Sequence, residues 1–496
     1  MKIQNILMVI AATAITQVSY AQFNQDALRF SRFNEGSTSR IKAIGNASTA
    51  VGGDLSSIGG NPAGLGFFNR SEISITPEFN SSNVTSNYFN QSETDGKEQL
   101  NFHNASLLFH SAKKVPAGSN ATTGFLNFNF GLSWNRTNNF YDNLYLAGRN
   151  PNNSIADFLA DQANLVGGSV DDLNRAGNPL GWWGYESYLI DSVGQDSYGN
   201  LYGPNTYTDA DQTLTRRRTG GQTEFNIAMG TNYSNKLYLG LSVGLTSLRY
   251  NSYTTVSEIG NVGAIGTIVS EGAEYRTFYD FNQQTRGSGV NFKLGAIYKP
   301  VESVRIGASF TSPTWYSIED DSSLALETFY DGGDQFPALP ETFADNYNLR
   351  TPMKVNGGVA VFFQQFGFLS ADIEYVDYAG MKLSNYPTSG DDNQRISNLY
   401  KSVVNAKLGG EGRLNENLYL RAGYSYLANP EEGIGGATNV VSGGLGYRVG
   451  NFYVDATYQN VSRKQTIYPY ELATQSPAAD LKWTNDNVYL TLGLRF

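Results

Sequence analysis

Apolar and polar residues alternate strictly over stretch after stretch of this chain, and a period of two admits extended strands with unlike faces and little else. Phe128, Phe130, Leu132 and Trp134 alternate with Asn129, Gly131 and Ser133. Leu237, Leu239, Leu241, Val243 and Leu245 alternate with Tyr238, Gly240, Ser242, Gly244 and Thr246, and the rule returns over Val290 to Tyr298 and Leu418 to Tyr426. Successive side chains of a strand point to opposite faces, so each segment has one apolar face and one polar or small face. Counting on this rule gives about 14 strands, near 71–80, 101–111, 125–137, 222–233, 237–250, 287–299, 304–318, 348–363, 367–383, 402–412, 418–428, 438–449, 452–464 and 486–496.

Two architectures satisfy such a pattern: a sandwich with its apolar faces inward, and a membrane barrel with its apolar face outward. The lengths of the links separate them. Short polar links occur at Ser234-Asn235-Lys236, Pro300 to Ser303, Gln364 to Phe366, Arg413 to Asn417 and Gly450-Asn451. Between those hairpins the links are long: Asn138 to Gly221, Asn251 to Arg286, Glu319 to Tyr347 and Lys464 to Asn485. Short turns at one end, long loops at the other and an even strand count are the features of an outer-membrane barrel with its turns in the periplasm. The last strand puts Val488, Leu490, Leu492, Leu494 and Phe496 on one face and stops at that aromatic residue. The expected fold class is therefore all-β, a 14-stranded antiparallel transmembrane barrel.

Composition becomes intelligible on this basis. Only 16% of the 496 residues are charged while 13% are aromatic, with 32 tyrosines and 28 phenylalanines. Soluble proteins carry roughly 25% charge. A mean hydropathy of -0.35 is then the average of a lipid-facing and a lumen-facing surface. The net charge of -10 offers nothing to a phosphate backbone, so nucleic acid is not an expected partner. The absence of cysteine removes disulfides, thiolate metal sites and a thiol nucleophile. The two histidines, His103 and His110, are seven residues apart and fall on opposite faces of a regular strand, so no shared metal or haem ligand is expected. The glycines of VGGDLSSIGGNPAG lack the Lys-Ser/Thr of a phosphate loop. No cofactor, no metal and no enzyme activity are expected.

Met1-Lys2, the apolar run Ile6 to Ile15 and Ser19-Tyr20-Ala21 have the form of a secretory signal peptide over residues 1–21, cut at Ala21/Gln22. Residues 22–70 are small, polar and Gly-rich and break the strand pattern, so they are expected inside the lumen of a barrel over 71–496. Within the loop at 138–221, expected on the extracellular side, Ile155 to Val166 has helical spacing with Ser154 as N-cap, which predicts a short amphipathic helix on the outer surface.

The ordered motifs GNASTA at Gly45 to Ala50, Asp54, Ser56-Ser57-Ile58 and Asn61-Pro62-Ala63-Gly64-Leu65, then Gly287-Ser288-Gly289 leading into NFKLGAIYKP, VRIGASFTSPT at Val304 to Thr314 and NLYLRAGYSYLANP at Asn417 to Pro430 resemble the FadL-type transporters of the Gram-negative outer membrane. The resemblance implies a barrel plugged by an N-terminal hatch and passive uptake of a hydrophobic small-molecule ligand such as a long-chain fatty acid. Release would be sideways into outer-membrane lipid beside an inward kink in the third strand, for which Gly131 is the candidate. It also implies handling by the barrel-assembly machinery through the C-terminal strand ending at Phe496. The alternative is a FadL-like barrel that docks proteins in a secretion or outer-membrane assembly complex of the Bacteroidetes type.

Three groups of residues are candidates for function. Asn61, Pro62 and Ala63 read either as the hatch's rigid bend or as an ordinary turn before the first strand. Asp372, Glu374, Arg305, Lys293, Arg421 and Glu411, with Lys407 and Asp455, fall on lumen faces; wall-to-hatch ion pairs are the expected arrangement and a catalytic carboxylate pair the sharper one. Arg216, Arg217 and Arg218, placed in the long loop, read as a solvated segment or as an anion-capture site for a fatty-acid carboxylate or lipid head group.

Overall fold

A computed structural model describes residues 17–33, 36–113, 122–175, 178–197, 199–263, 270–337 and 340–496, with side chains from Phe23 onward. Most of the expected signal peptide, residues 1–16, lies outside the described residues. The wall is built from β1 (Glu72–Tyr88), β2 (Gln91–Phe109), β3 (Phe125–Asn139, extended by Asp142–Asn150), β4 (Ala210–Tyr233), β5 (Leu237–Asn261) and β6 (Glu274–Val301). Next come β7 (Val304–Thr311 and Trp315–Tyr330), β8 (Glu341–Arg350 and Lys354–Phe362) and β9 (Gly367–Val376 and Lys382–Ser384). The wall finishes with β10 (Val403–Arg413), β11 (Leu418–Leu427), β12 (Thr438–Val449), β13 (Phe452–Ile467) and β14 (Ala479–Arg495). Each pairs antiparallel with its sequence neighbour, and β14 returns to pair with β1 from Arg495↔Glu72 to Asp480↔Asn87. The chain is a 14-stranded antiparallel barrel.

Closure follows from the solvent. Hydrocarbon cannot hydrogen-bond a backbone group, so an open sheet edge has no place in it. At the seam even the last residue is tied in: Ser71 donates to the Phe496 carbonyl at 3.1 Å and Phe496 donates back at 2.9 Å. Outward positions form an apolar belt, for example Leu239, Leu241 and Leu245 on β5 and Val488, Leu490 and Leu492 on β14, all exposed. The inward positions between them are small or polar. The short links are tight turns; Ser234 and Asn235 both take φ of 55°, as the two central residues of a hairpin matched to strand twist do.

The strands outrun the sequence expectation on the side away from the turns. β4, β5, β6 and β14 continue as paired ladders through residues expected in loops. Beyond the hydrocarbon the outward face needs no apolar residue, so alternation fades while threonines such as Thr213, Thr215 and Thr219 keep the extended conformation favourable. The expected loop 138–221 is thus mostly strand at its ends, leaving residues 151–209 as a separate cap.

The N-terminal segment occupies the lumen. It comprises α1 (Gln17–Ser31), α2 (Ser39–Ala43) and two 3-10 turns, Leu55–Ile58 and Pro62–Phe67. Phe23 and Phe30 of α1 are buried against Tyr347, Tyr250 and Phe140 of the wall. α2 lies on β11 to β14, where Ser39 N–H donates to Thr491 Oγ1 at 2.8 Å.

The segment fits because the wall has glycine where it comes closest. Gly230, Gly240 and Gly295 are directly cross-paired on β4, β5 and β6, and Gly307 with Gly358, and Gly409 with Gly423, continue the belt farther round. A Cβ on Gly230 would meet the Leu65 Cβ at 2.6 Å, one on Gly131 would meet Ile58 Cγ1 at 2.7 Å and one on Gly444 the Ala43 Cβ at 2.8 Å. At Gly240 it would run into the Pro62 backbone and at Gly423 into Gly45. Replacing Gly240 by Leu forces the plug off the wall. We expect a loss of about 1–3 kcal/mol, read as a lower melting temperature in detergent with new protease cleavage in residues 36–70.

Candidate functional site: the plugged lumen and the cavity above it

Asn61 caps the turn that Pro62 opens. Its Oδ1 accepts from Ala63 N–H at 3.1 Å, while its Nδ2 donates to Thr49 O at 2.7 Å and to Ala308 O of β7 at 3.3 Å. Proline at the first position lacks only a donor that the turn would leave unused. The trio therefore joins two parts of the plug to the wall, and Phe67 at the end of the same turn stacks on Tyr238 of β5 with ring centroids 3.7 Å apart.

The expected lumen charges all face inward and bind plug or wall. Arg421 donates from Nε to Glu411 at 2.6 Å and from Nη1 to Asp455 at 2.6 Å, and Arg40 of α2 reaches the same Glu411 at 2.7 and 3.1 Å. Burial disfavours charge on the Arg40 guanidinium, but the Glu411 and Asp54 carboxylates outweigh it and raise its pKa above the ordinary value. Asp372 accepts from Thr49 N–H at 2.8 Å. Glu374 accepts from Asn405 at 2.9 Å and Lys407 at 3.4 Å. Lys293 binds Glu224 and the Asn226 side chain, and Arg305 donates to Val51 O while its guanidinium lies 4.2 Å from Phe67 and 4.0 Å from Phe362. One ion pair among these, Arg40–Glu411, joins plug to wall; the Arg421, Lys293 and Lys407 pairs join wall strands to one another, and Asp372 and Arg305 bind the plug backbone.

Between the plug and the cap at the end away from the tight turns lies a cavity of about 1040 Å³. The cap holds α3 (Ile155–Val166), α4 (Val170–Arg175), α5 (Pro179–Glu186) and a hairpin of Ile190–Asp196 with Gly199–Pro204. α3 spans the expected residues, and Ser154 caps it within a reciprocal capping box with Asp157. Contrary to the expectation of a helix lying on the outer surface, its apolar face, Ile155, Leu159 and Ala163, is buried in one core with Leu144, Leu180 and Leu481, above the barrel mouth.

Arg216, Arg217 and Arg218 are not in a loop. They lie within β4, paired with β5, because the strand continues beyond the membrane. Period two then splits the run: Arg217 is exposed, whereas Arg216 and Arg218 line the cavity and share Asp142 at 3.6 Å each. Arg136 and Arg463, which the sequence did not single out, line it too, and the Arg463 guanidinium lies 4.5 Å from the Trp483 ring. The Nε groups of Arg136, Arg216 and Arg218 are buried with no hydrogen-bond partner among the described residues. Leu28, Phe140, Leu214, Phe281 and Val461 supply apolar lining beside them.

The wall is least continuous where the cavity meets β3. The β2–β3 ladder runs only from Asn104↔Asn135 to Phe109↔Phe130. Above it β2 pairs with β1 alone, β3 shifts register between Arg136 and Asn138, and its extension pairs with β4 alone. Side chains bridge the parted strands: Arg136 donates to Asn101 Oδ1 at 2.9 Å and Asn143 to Gly96 O at 3.4 Å. Gly131 itself is paired on both sides, with Leu108 and Ala228, so the irregularity sits at Arg136 to Asn138 and Gly131 admits Ile58 of the plug.

The histidines also depart from expectation. A bulge at Thr76/Pro77 reverses the alternation of β2 between His103 and Asn104, so both rings lie on the inner side. His103 Nδ1 is 3.4 Å from Glu78, and His110 Nδ1 is 2.8 Å from Asn129 Oδ1. Seven residues of strand, about 20 Å, keep them from a common ligand.

Closed wall, lumen plug and capped mouth define the chain as a plugged outer-membrane barrel. The fold is that of FadL-type hydrophobic-compound channels. It is similar to the toluene transporter TodX of Pseudomonas putida, with a TM-score of 0.54 at 13% identity over 93% of this chain and 99% of that one. It is likewise similar to a Pseudomonas aeruginosa FadL homologue, with a TM-score of 0.50 at 14% identity over 92% and 97% of the two chains. No family model matches the chain, and no curated protein matches it in sequence.

The Arg40–Glu411–Arg421–Asp455 network predicts a large effect from a small change. Arg421→Met strands the Asp455 carboxylate in the lumen and is expected to cost about 3–5 kcal/mol, measured as reduced resistance to urea in detergent.

Proposed function

We propose that this barrel takes up hydrophobic small molecules passively across the outer membrane, and that its substrates are long-chain fatty acids. The observation that carries this reading is the lining of the cavity, where the cationic groups of Arg136, Arg216, Arg218 and Arg463 stand beside apolar side chains. A carboxylate accepts charge-assisted hydrogen bonds from arginine, which are stronger than neutral ones. The tail gains roughly 0.8 kcal/mol per methylene removed from water. Neither requires an energy source, and the chain has no nucleotide motif.

The exit is the stretch between β2 and β3 where only side chains close the wall. Leaving through the plug instead would break the Arg40–Glu411 pair, the Asn61 bonds and the close fit along the glycine belt. The sideways route needs the release of a few side-chain contacts: Arg136 with Asn101, Asn143 with Gly96, Ser86 with Tyr145 and Lys97 with the Tyr141 ring. A ligand drawn from lipid-like chemistry then passes into lipid without crossing water.

The folded cap of residues 151–209 favours the second reading, a barrel that docks another protein through its extracellular face. Uptake of labelled oleate by cells lacking the gene, and by the same cells with it restored, decides between them. The uptake reading expects loss and rescue, and unchanged uptake with a stably co-purifying protein favours docking. Arg216→Gln with Arg218→Gln is expected to weaken oleate binding at least about tenfold while leaving oleyl alcohol nearly unaffected.

A further inference from the structure

Four cations stand on the outer face of the barrel just beyond its apolar belt, in two opposed like-charged pairs. Arg249 of β5 is directly across from Arg286 of β6, and Arg350 of β8 is directly across from Lys382 of β9. All four side chains are exposed, and none is ion-paired among the described residues. Like charges directly opposite on a sheet face destabilise it, and a counter-charge placed between them offsets that cost.

Position indicates where that charge resides. On β5 the unbroken outward apolar run ends at Leu245, and Arg249 is the second outward position beyond it; on β6 the corresponding residues are Val290 and Arg286. On β8 and β9 the cations follow Val355 and Tyr375 across the breaks in those strands. Trp315 of β7 is exposed and lies across from both Val290 and Arg350, where an interfacial indole is expected. The acidic neighbours in this group are Glu319, across β7 from Arg286, and Asp321, the next outward position of β7. Elsewhere on the barrel the first outward charged positions beyond the belt are of both signs: Arg217 of β4, Lys464 of β13, Asp486 of β14 and Glu98 of β2. Nearest the belt over β5 to β9, the four cations outnumber the acids Glu319 and Asp321 in a chain whose net charge is -10.

We propose that this face binds the phosphate groups of outer-leaflet lipids, one phosphate bridging each opposed pair, with the acyl chains on the apolar belt below. Arginine suits the role because its fork engages two phosphate oxygens at once. The inference rests on the outer-membrane placement of the barrel and is independent of what passes through its lumen. A third opposed pair, Lys464 and Lys482 of β13 and β14, stands farther out, with Lys482 three outward positions beyond Val488, where salt screens it.

The test titrates the purified full-length barrel in zwitterionic detergent with lipid A carrying its phosphates and with the same lipid dephosphorylated. Binding is followed by native mass spectrometry and by the shift in melting temperature. The phosphorylated lipid is expected to bind and raise the melting temperature of the unmodified protein. Its affinity is expected to fall about 30-fold in Arg249→Gln/Arg286→Gln and again in Arg350→Gln/Lys382→Gln. Lys482→Gln is expected to bind as the parent does, and the dephosphorylated lipid to bind as weakly to the parent as the phosphorylated lipid does to the combined variant. Equal affinity in parent and combined variant, indifference to the phosphates, or an equal loss in Lys482→Gln overturns the proposal. Since each double variant removes a repulsion, both are expected to fold, which unheated gel mobility checks.

Discussion

The rest of the structure depends on one constraint: in hydrocarbon every backbone donor and acceptor of the wall must find its partner within the wall. The β1–β14 ladder meets it by bringing the two ends of the barrel sequence together, down to the reciprocal bonds between Ser71 and Phe496. Once the wall is closed, its inner surface is a tube that must be filled or left open to water. Here it is filled from the N-terminal side, and the glycine belt is what lets a backbone with its own turns lie flush against strands already fully paired.

Filling the tube with polar chain creates a second requirement. Buried charges are costly unless matched, and the plug matches them within itself, Arg40 with Asp54, as well as across the wall: Arg40 with Glu411, Thr49 with Asp372, the Val51 carbonyl with Arg305. These contacts bind plug to barrel in a defined register. Above the plug the matching is incomplete. Arg216 and Arg218 share the single carboxylate of Asp142, and Arg136 meets only neutral oxygens. The unmatched charge, the apolar lining and the parted β2–β3 ladder coincide around one cavity, and for that reason the transport reading is placed there.

Much of this was legible in the sequence. Lipid enforces alternation, so strands inside the hydrocarbon, the tight turns and the even count could be read directly. Local hydrogen-bonding chemistry is equally visible, as with Ser154 capping α3 and Asn61 capping the Pro62 turn. The arginine run was misplaced because, outside the membrane, a strand obeys no apolar rule and a charged stretch looks like a loop. The bulge at Thr76/Pro77 was invisible because it reverses facing without changing composition, and it moved His110 to the inner side. The glycine belt was hidden for another reason: a glycine at a lumen position reads simply as small, and only the three-dimensional register shows Gly230, Gly240 and Gly295 side by side beneath one turn of the plug.

The central claim is that the cavity between plug and cap receives an amphiphile with its acidic head at the arginines. A crystal of the barrel soaked with a fatty acid brominated near the methyl end tests it directly through the anomalous signal of bromine. The account predicts a carboxylate within hydrogen-bond distance of Arg216 or Arg218, and bromine inside the cavity among the side chains near Leu28, Phe140 and Phe281. Bromine found solely on the lipid-facing belt, with no ligand density inside the wall, contradicts it.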